Sequence, residues 1–141
     1  MSRLKGQNKP EHNWRFKAIE LLEKDVWQTP TEEDATNLVK KCHALRKKVL
    51  NDFTVEDFRL MVSQNIALDY LIPLAIEVLT DDLFAEGDYY EGDLLNAVLT
   101  IEKGFWLTHP EYWEEIKKMI TGKENELAEL KIKTANFELK L

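Results

Sequence analysis

The densest concentration of reactive groups is the run Asp81-Asp82-Leu83-Phe84-Ala85-Glu86-Gly87-Asp88-Tyr89-Tyr90-Glu91-Gly92-Asp93. It carries six carboxylates and three aromatic rings, with no lysine or arginine. Three chemistries are open to it. Calcium binding is the first. With Asp82 opening an EF-hand loop, Gly87 falls at the sixth place and Asp93 at the twelfth. The third place, however, is Phe84, which cannot ligate, and the closing bidentate Glu is replaced by a shorter Asp. No calcium is assigned. The second is acid–base work by Glu86, Asp88 and Glu91, as in a small hydrolase. That needs a pocket to perturb their ionisation, and a loop this charged is more often solvated. The third is recognition. Carboxylates beside aromatic rings make a surface for a basic macromolecule, and Asp82, Glu86, Asp88, Tyr89, Tyr90 and Glu91 are the expected contacts.

The remaining chemistry-bearing residues are sparse. The histidines are His12, His43 and His109, and Cys42 is the only cysteine. His43 beside Cys42 is not a chelating pair by itself, and no CxxC or HExxH motif occurs, so no metal is expected. His109 precedes Pro110 and reads as a capping or packing residue rather than a general base. No GxSxG, P-loop or GxGxxG is present. The expectation is a protein that is not an enzyme, with no catalytic residues and no cofactor. Trp14, Trp27, Trp106 and Trp113 read mainly as core, although one of them, or Tyr89 or Tyr90, could anchor an interface.

At 141 residues the chain has the length of one domain, and 44% hydrophobic residues are enough for a core without disulfides. The net charge of -7 argues against nucleic acid as partner. It favours a cationic protein, or serves solubility alone. The first ten residues carry no apolar run for a signal peptide, and Ser2 stands where myristoylation needs glycine. The longest apolar segment is too short to span a bilayer and contains Glu77. No membrane contact is expected, and the expected location is the cytoplasm. The sequence assigns no oligomeric state.

The elements that must position the acidic run read as helices. Residues 1–13 form an expected flexible lead-in. Trp14, Phe16, Ile19 and Leu22 predict a first helix ending near Lys24. Glu32, Glu33 and Asp34 are placed to acidify the next helix start. Leu38, Cys42, Leu45 and Val49 predict a stripe on a helix over 35–48, with Lys40, Lys41, Arg46 and Lys47 on its solvated face. Thr54 followed by Glu56 and Asp57 is a helix start, and Val55, Phe58, Met61 and Val62 are its buried stripe. Residues 68–80 are apolar on nearly every side and belong at the centre, with Pro73 either starting that helix or kinking it. Gly92-Asp93 is read as the cap of a helix with Leu94, Val98, Ile101 and Phe105 inward. Pro110 opens another with Tyr112, Trp113, Ile116, Met119 and Ile120 inward, and Leu127 and Leu130 continue beyond Gly122. The sum is an all-α fold, a single compact domain of five to six helices with short loops, over residues 14–135. Residues 136–141 form a tail, either frayed or a lone strand.

A set of these segments resembles one family. They are Leu38-Val39 with Cys42-His43-Ala44-Leu45-Arg46, then Phe53-Thr54-Val55-Glu56-Asp57-Phe58-Arg59-Leu60-Met61 and Tyr70-Leu71-Ile72-Pro73-Leu74-Ala75. Glu86-Gly87-Asp88-Tyr89-Tyr90 with Gly92-Asp93-Leu94-Leu95, and Phe105-Trp106 with His109-Pro110, complete it. In this order and spacing the chain resembles the immunity proteins of bacterial contact-dependent growth inhibition systems, from about residue 21 to residue 113. Glu91 and Val49 stand where many relatives carry proline. The resemblance implies a cytoplasmic antidote that binds the C-terminal toxin domain of a cognate effector. It implies that the toxin is a basic nuclease and that the antidote has no catalytic residues and no cofactor. The competing readings are an adaptor for another basic protein and a small hydrolase using the acidic loop. Within the family reading the Glu-Gly-Asp-Tyr segment is either contact or scaffold. If it is scaffold, specificity lies elsewhere, as in residues 32–34 or the C-terminal helix.

Overall fold

A computed structural model describes residues 12–33 and 35–138 of the chain, and every regular element among them is helical. Five α-helices have seven residues or more, and three shorter ones join them. The all-α expectation is therefore met, with the short helices as additions. Cα packing divides the chain into two units, Met1–Phe53 and Thr54–Leu141.

The first unit opens with a 3-10 turn, His12–Phe16, and then α1, Ile19–Glu23. The expected single first helix is thus two pieces, split where Ala18 pairs with Val49 in an isolated antiparallel bridge. Lys24 ends α1 in the left-handed conformation, φ 55°. Among the described residues no regular element follows until α2, Asn37–Lys47, which begins slightly later than expected. Thr36 caps α2 by accepting from the Val39 N–H at 3.1 Å. The helix has no acid in its first turn, so the carboxylates at 32–33 do not serve its start, and Asp34 lies outside the described residues. Cys42 and Leu45 are buried as expected, but Leu38 is 41% exposed.

Arg46 departs furthest from expectation. The sequence places it on the solvated face; it is 1% exposed. The segment after α1 folds back over it. Nη1 donates to Glu23 at 2.6 Å, Nη2 donates to the Asp25 carbonyl, and the guanidinium lies 4.2 Å from the Trp27 ring centroid. Helical periodicity could not reveal partners supplied by a neighbouring segment. A 3-10 turn, Leu50–Asp52, closes the unit.

The second unit begins with α3, Val55–Ser63. Thr54 accepts from the Asp57 N–H at 3.1 Å while the Asp57 carboxylate accepts from the Thr54 N–H at 2.9 Å, a capping box. Phe58, Met61 and Val62 are buried as predicted. α4, Leu68–Asp81, carries Pro73 in its interior rather than at its start. Its missing N–H removes one backbone bond to Asp69. The expected long helix after the acidic run is two: α5, Asp93–Leu99, and α6, Lys103–Thr108. Thr100 is the C-cap of α5, and its hydroxyl donates to the Ala97 carbonyl at 2.9 Å. α7, Pro110–Ile120, has proline in its first turn as read from the sequence, and α8, Glu124–Glu129, follows Gly122. α3 packs on α4 and α5, and α4 on α7.

The C-terminal segment is neither strand nor loose over its described part. Phe137 sits in a turn, fully buried. It stacks on Trp113 at 5.5 Å and meets the Trp106 ring edge-on at 5.2 Å, and its carbonyl accepts from Trp113 Nε1 at 2.7 Å. Residues 139–141 and the lead-in up to residue 11 lie outside the described residues.

Candidate functional site

The acidic run lies between α4 and α5, and its backbone is pinned by two carboxylates. Asp93, the first residue of α5, is 2% exposed. Its side chain does not cap its own helix. It turns back into the loop, accepting from the Gly87 N–H at 2.6 Å on Oδ1 and from the Tyr89 and Tyr90 N–H groups at 3.1 and 3.3 Å on Oδ2. Three backbone donors of the loop are satisfied by one side chain. The reading of Asp93 as a simple cap is thereby corrected. Gly92, at φ 85°, supplies the left-handed residue that lets the chain enter α5.

The second pin is Glu56 of α3. Its Oε1 accepts from the Asp88 N–H at 2.9 Å. The same carboxylate holds Arg59 two-pronged, Nε at 2.7 Å and Nη2 at 2.6 Å. These bonds raise the affinity of the Arg59 guanidinium for its proton, against the opposing cost of partial burial. Arg59 then lies beneath Tyr89, 4.4 Å from the ring centroid. A Cβ on Gly87 would stand 2.6 Å from Glu56 Oε1 and 3.2 Å from Glu56 Cα, so glycine is what lets the loop close on both carboxylates.

All six residues expected at a partner surface are exposed. Tyr89 is 68% and Tyr90 44% exposed, with the Tyr90 hydroxyl accepting from Asn96 at 2.9 Å. Among the described residues no lysine or arginine pairs with the carboxylates of Asp82, Glu86, Asp88 or Glu91. The loop therefore presents unneutralised acid and two rings on a fixed backbone. Residues 21–116, more than half of the chain, match the CDI (contact-dependent growth inhibition) immunity proteins.

The chain belongs to the CDI immunity protein family. The span matched nearly coincides with that of the resemblance read from the sequence, and it contains the loop, α3 and α5. No curated protein and no solved structure matches this immunity protein.

Elsewhere in the immunity protein, His109, Tyr112, His43 and Cys42 are packed among neighbouring side chains. The His109 ring stacks on Phe105 at 4.2 Å and on Tyr112 at 5.6 Å, with Nε2 3.1 Å from Asp69 Oδ1. Burial pushes the Tyr112 phenol up, with Glu111, Asp69 and Glu115 adding to it. His43 meets Trp27 edge-on at 5.2 Å, and burial raises the neighbouring Cys42 thiol. Among the described residues no group of three His, Cys, Asp or Glu is placed to hold a metal ion, and no helix is long and apolar enough to cross a membrane. A cavity of about 370 Å³ in the second unit is lined by Lys117, Ile120, Leu127 and Ile132 among others, and by none of the six loop residues. Sequence reasoning missed Glu56 and Arg59 as supports of the loop. Their i,i+3 spacing signals a helix-surface ion pair. Nothing local signals that the pair reaches a segment 32 residues away.

Proposed function

We propose that this immunity protein acts in the cytoplasm by binding the C-terminal toxin domain of its cognate effector and covering the surface that the toxin needs. The family match over residues 21–116 carries this reading. The toxin in it is a basic nuclease, and the immunity protein contributes no catalysis. Carboxylates of the 82–92 loop stand where the toxin would hold substrate phosphates. Asp82, Glu86, Asp88 and Glu91 steer encounter, while Tyr89 and Tyr90 are buried in the complex and slow escape. A complex of this kind buries on the order of 1,200–2,000 Å² in total. The net charge of -7 and the exposed, unpaired loop carboxylates support a cationic partner. The functional domain on this reading covers residues 14–135, and Phe137 just beyond it packs on Trp106 and Trp113 of the second unit.

Co-expression with the toxin encoded immediately upstream tests the reading: growth is restored if it is correct, and continued killing despite abundant folded protein excludes it. The triple variant Glu86→Ala, Asp88→Ala, Glu91→Ala tests the loop. Its toxin affinity is expected to fall on the order of tenfold or more. Unchanged affinity at equal stability would move the interface elsewhere.

A further inference from the structure

We infer that Arg59 is a positioning residue for partner binding, holding the Tyr89 ring in its bound pose before the partner arrives. The inference rests on the reading that the 82–92 loop contacts the toxin. A tyrosine 68% exposed at a loop tip would ordinarily sample several rotamers, and ordering it would count against binding. Here one ring face lies on the guanidinium at 4.4 Å. The guanidinium is itself fixed, 15% exposed and gripped at two nitrogens by Glu56. Glu56 also holds the amide of Asp88, the residue before Tyr89. One carboxylate on a rigid helix thus sets both the backbone leading to the ring and the platform beneath it. The ring's exposed remainder is the part a partner would meet.

Charge and position predict opposite signs, which makes the inference testable. Arg59→Met removes a cation from an acidic protein, so electrostatic steering alone would tighten binding to a basic toxin. Loss of the platform would weaken it. Affinity for the upstream-encoded toxin domain is measured with the full chain and with Arg59→Met, Arg59→Lys, Tyr89→Ala and the Arg59→Met/Tyr89→Ala double variant, each shown to be folded. Arg59→Met is expected to lose about tenfold, as for a loop competent about a tenth of the time. Arg59→Lys, which keeps the charge but not the two-pronged grip, should fall between. In the Tyr89→Ala background Arg59→Met should add nothing. Wild-type affinity for both single variants, Tyr89→Ala and Arg59→Met, means Tyr89 is not a contact and overturns the inference, and the triple carboxylate variant then shows whether the loop reading falls with it. A loss in Tyr89→Ala alone, a loss in Arg59→Met alone, or tighter binding by Arg59→Met overturns the inference while leaving the immunity function intact. Should Arg59→Met fail to fold, Arg59→Lys decides: weaker binding supports positioning and wild-type affinity overturns it.

Discussion

Asp88 and Asp93 are the same residue type in the same loop, and they do opposite work. Asp88 presents its carboxylate to solvent, whereas Asp93 is buried and accepts three backbone N–H groups. Asp93→Asn would offer one acceptor oxygen and turn an NH₂ toward the remaining donors. Unfolding in urea should show a loss of about 3 kcal/mol, because buried donors left without an acceptor keep their full desolvation cost. A change within the error of the measurement would mean that the loop re-forms without this carboxylate. Cys42 is a second residue whose environment decides its behaviour. Burial raises its thiol, so little thiolate exists near neutral pH. Alkylation by iodoacetamide should be much slower in the native protein than in the urea-unfolded chain. Equal rates would show that the thiol is accessible after all.

At the scale of elements, caps and long-range anchors share the work. The Thr54–Asp57 capping box fixes where α3 begins, and α3 carries both Glu56 and Arg59 to the loop. Thr54→Ala should cost about 1 kcal/mol in a chemical denaturation curve. The same variant should fray the first turn of α3, visible as faster amide exchange there. Phe137 is the corresponding anchor at the other end of the second unit. It fills the space beside Trp106 and Trp113, and no regular element follows it among the described residues. Phe137→Ala should destabilise by roughly 3–5 kcal/mol, the usual cost of emptying a buried aromatic site. A fall in melting temperature too small for such a loss would place the C-terminal turn outside the core.

At the scale of the whole molecule, the net charge is -7, and the proposal of a cationic toxin makes association sensitive to salt. Between about 0.05 M and 0.5 M salt the association rate should fall on the order of tenfold, with the dissociation rate changed much less. Stopped-flow mixing separates the two, and a salt-independent association rate would remove steering from the mechanism. That charge, the helix periods of α3 and α7, the Thr54 start signal and Pro110 in the first turn of its helix were all readable in the chain, because each acts within a turn or two of backbone or sums over all residues. So was the exposure of Asp82, Glu86, Asp88 and Glu91, since carboxylates without basic neighbours resist burial unless backbone donors meet them, as they do Asp93. Burial of Arg46 and Phe137, the reach of Glu56 to the Asp88 amide and that of Arg59 to the Tyr89 ring were decided by tertiary structure alone. Each depends on a partner distant in sequence, and the same local pattern would have been solvated had packing not delivered that partner.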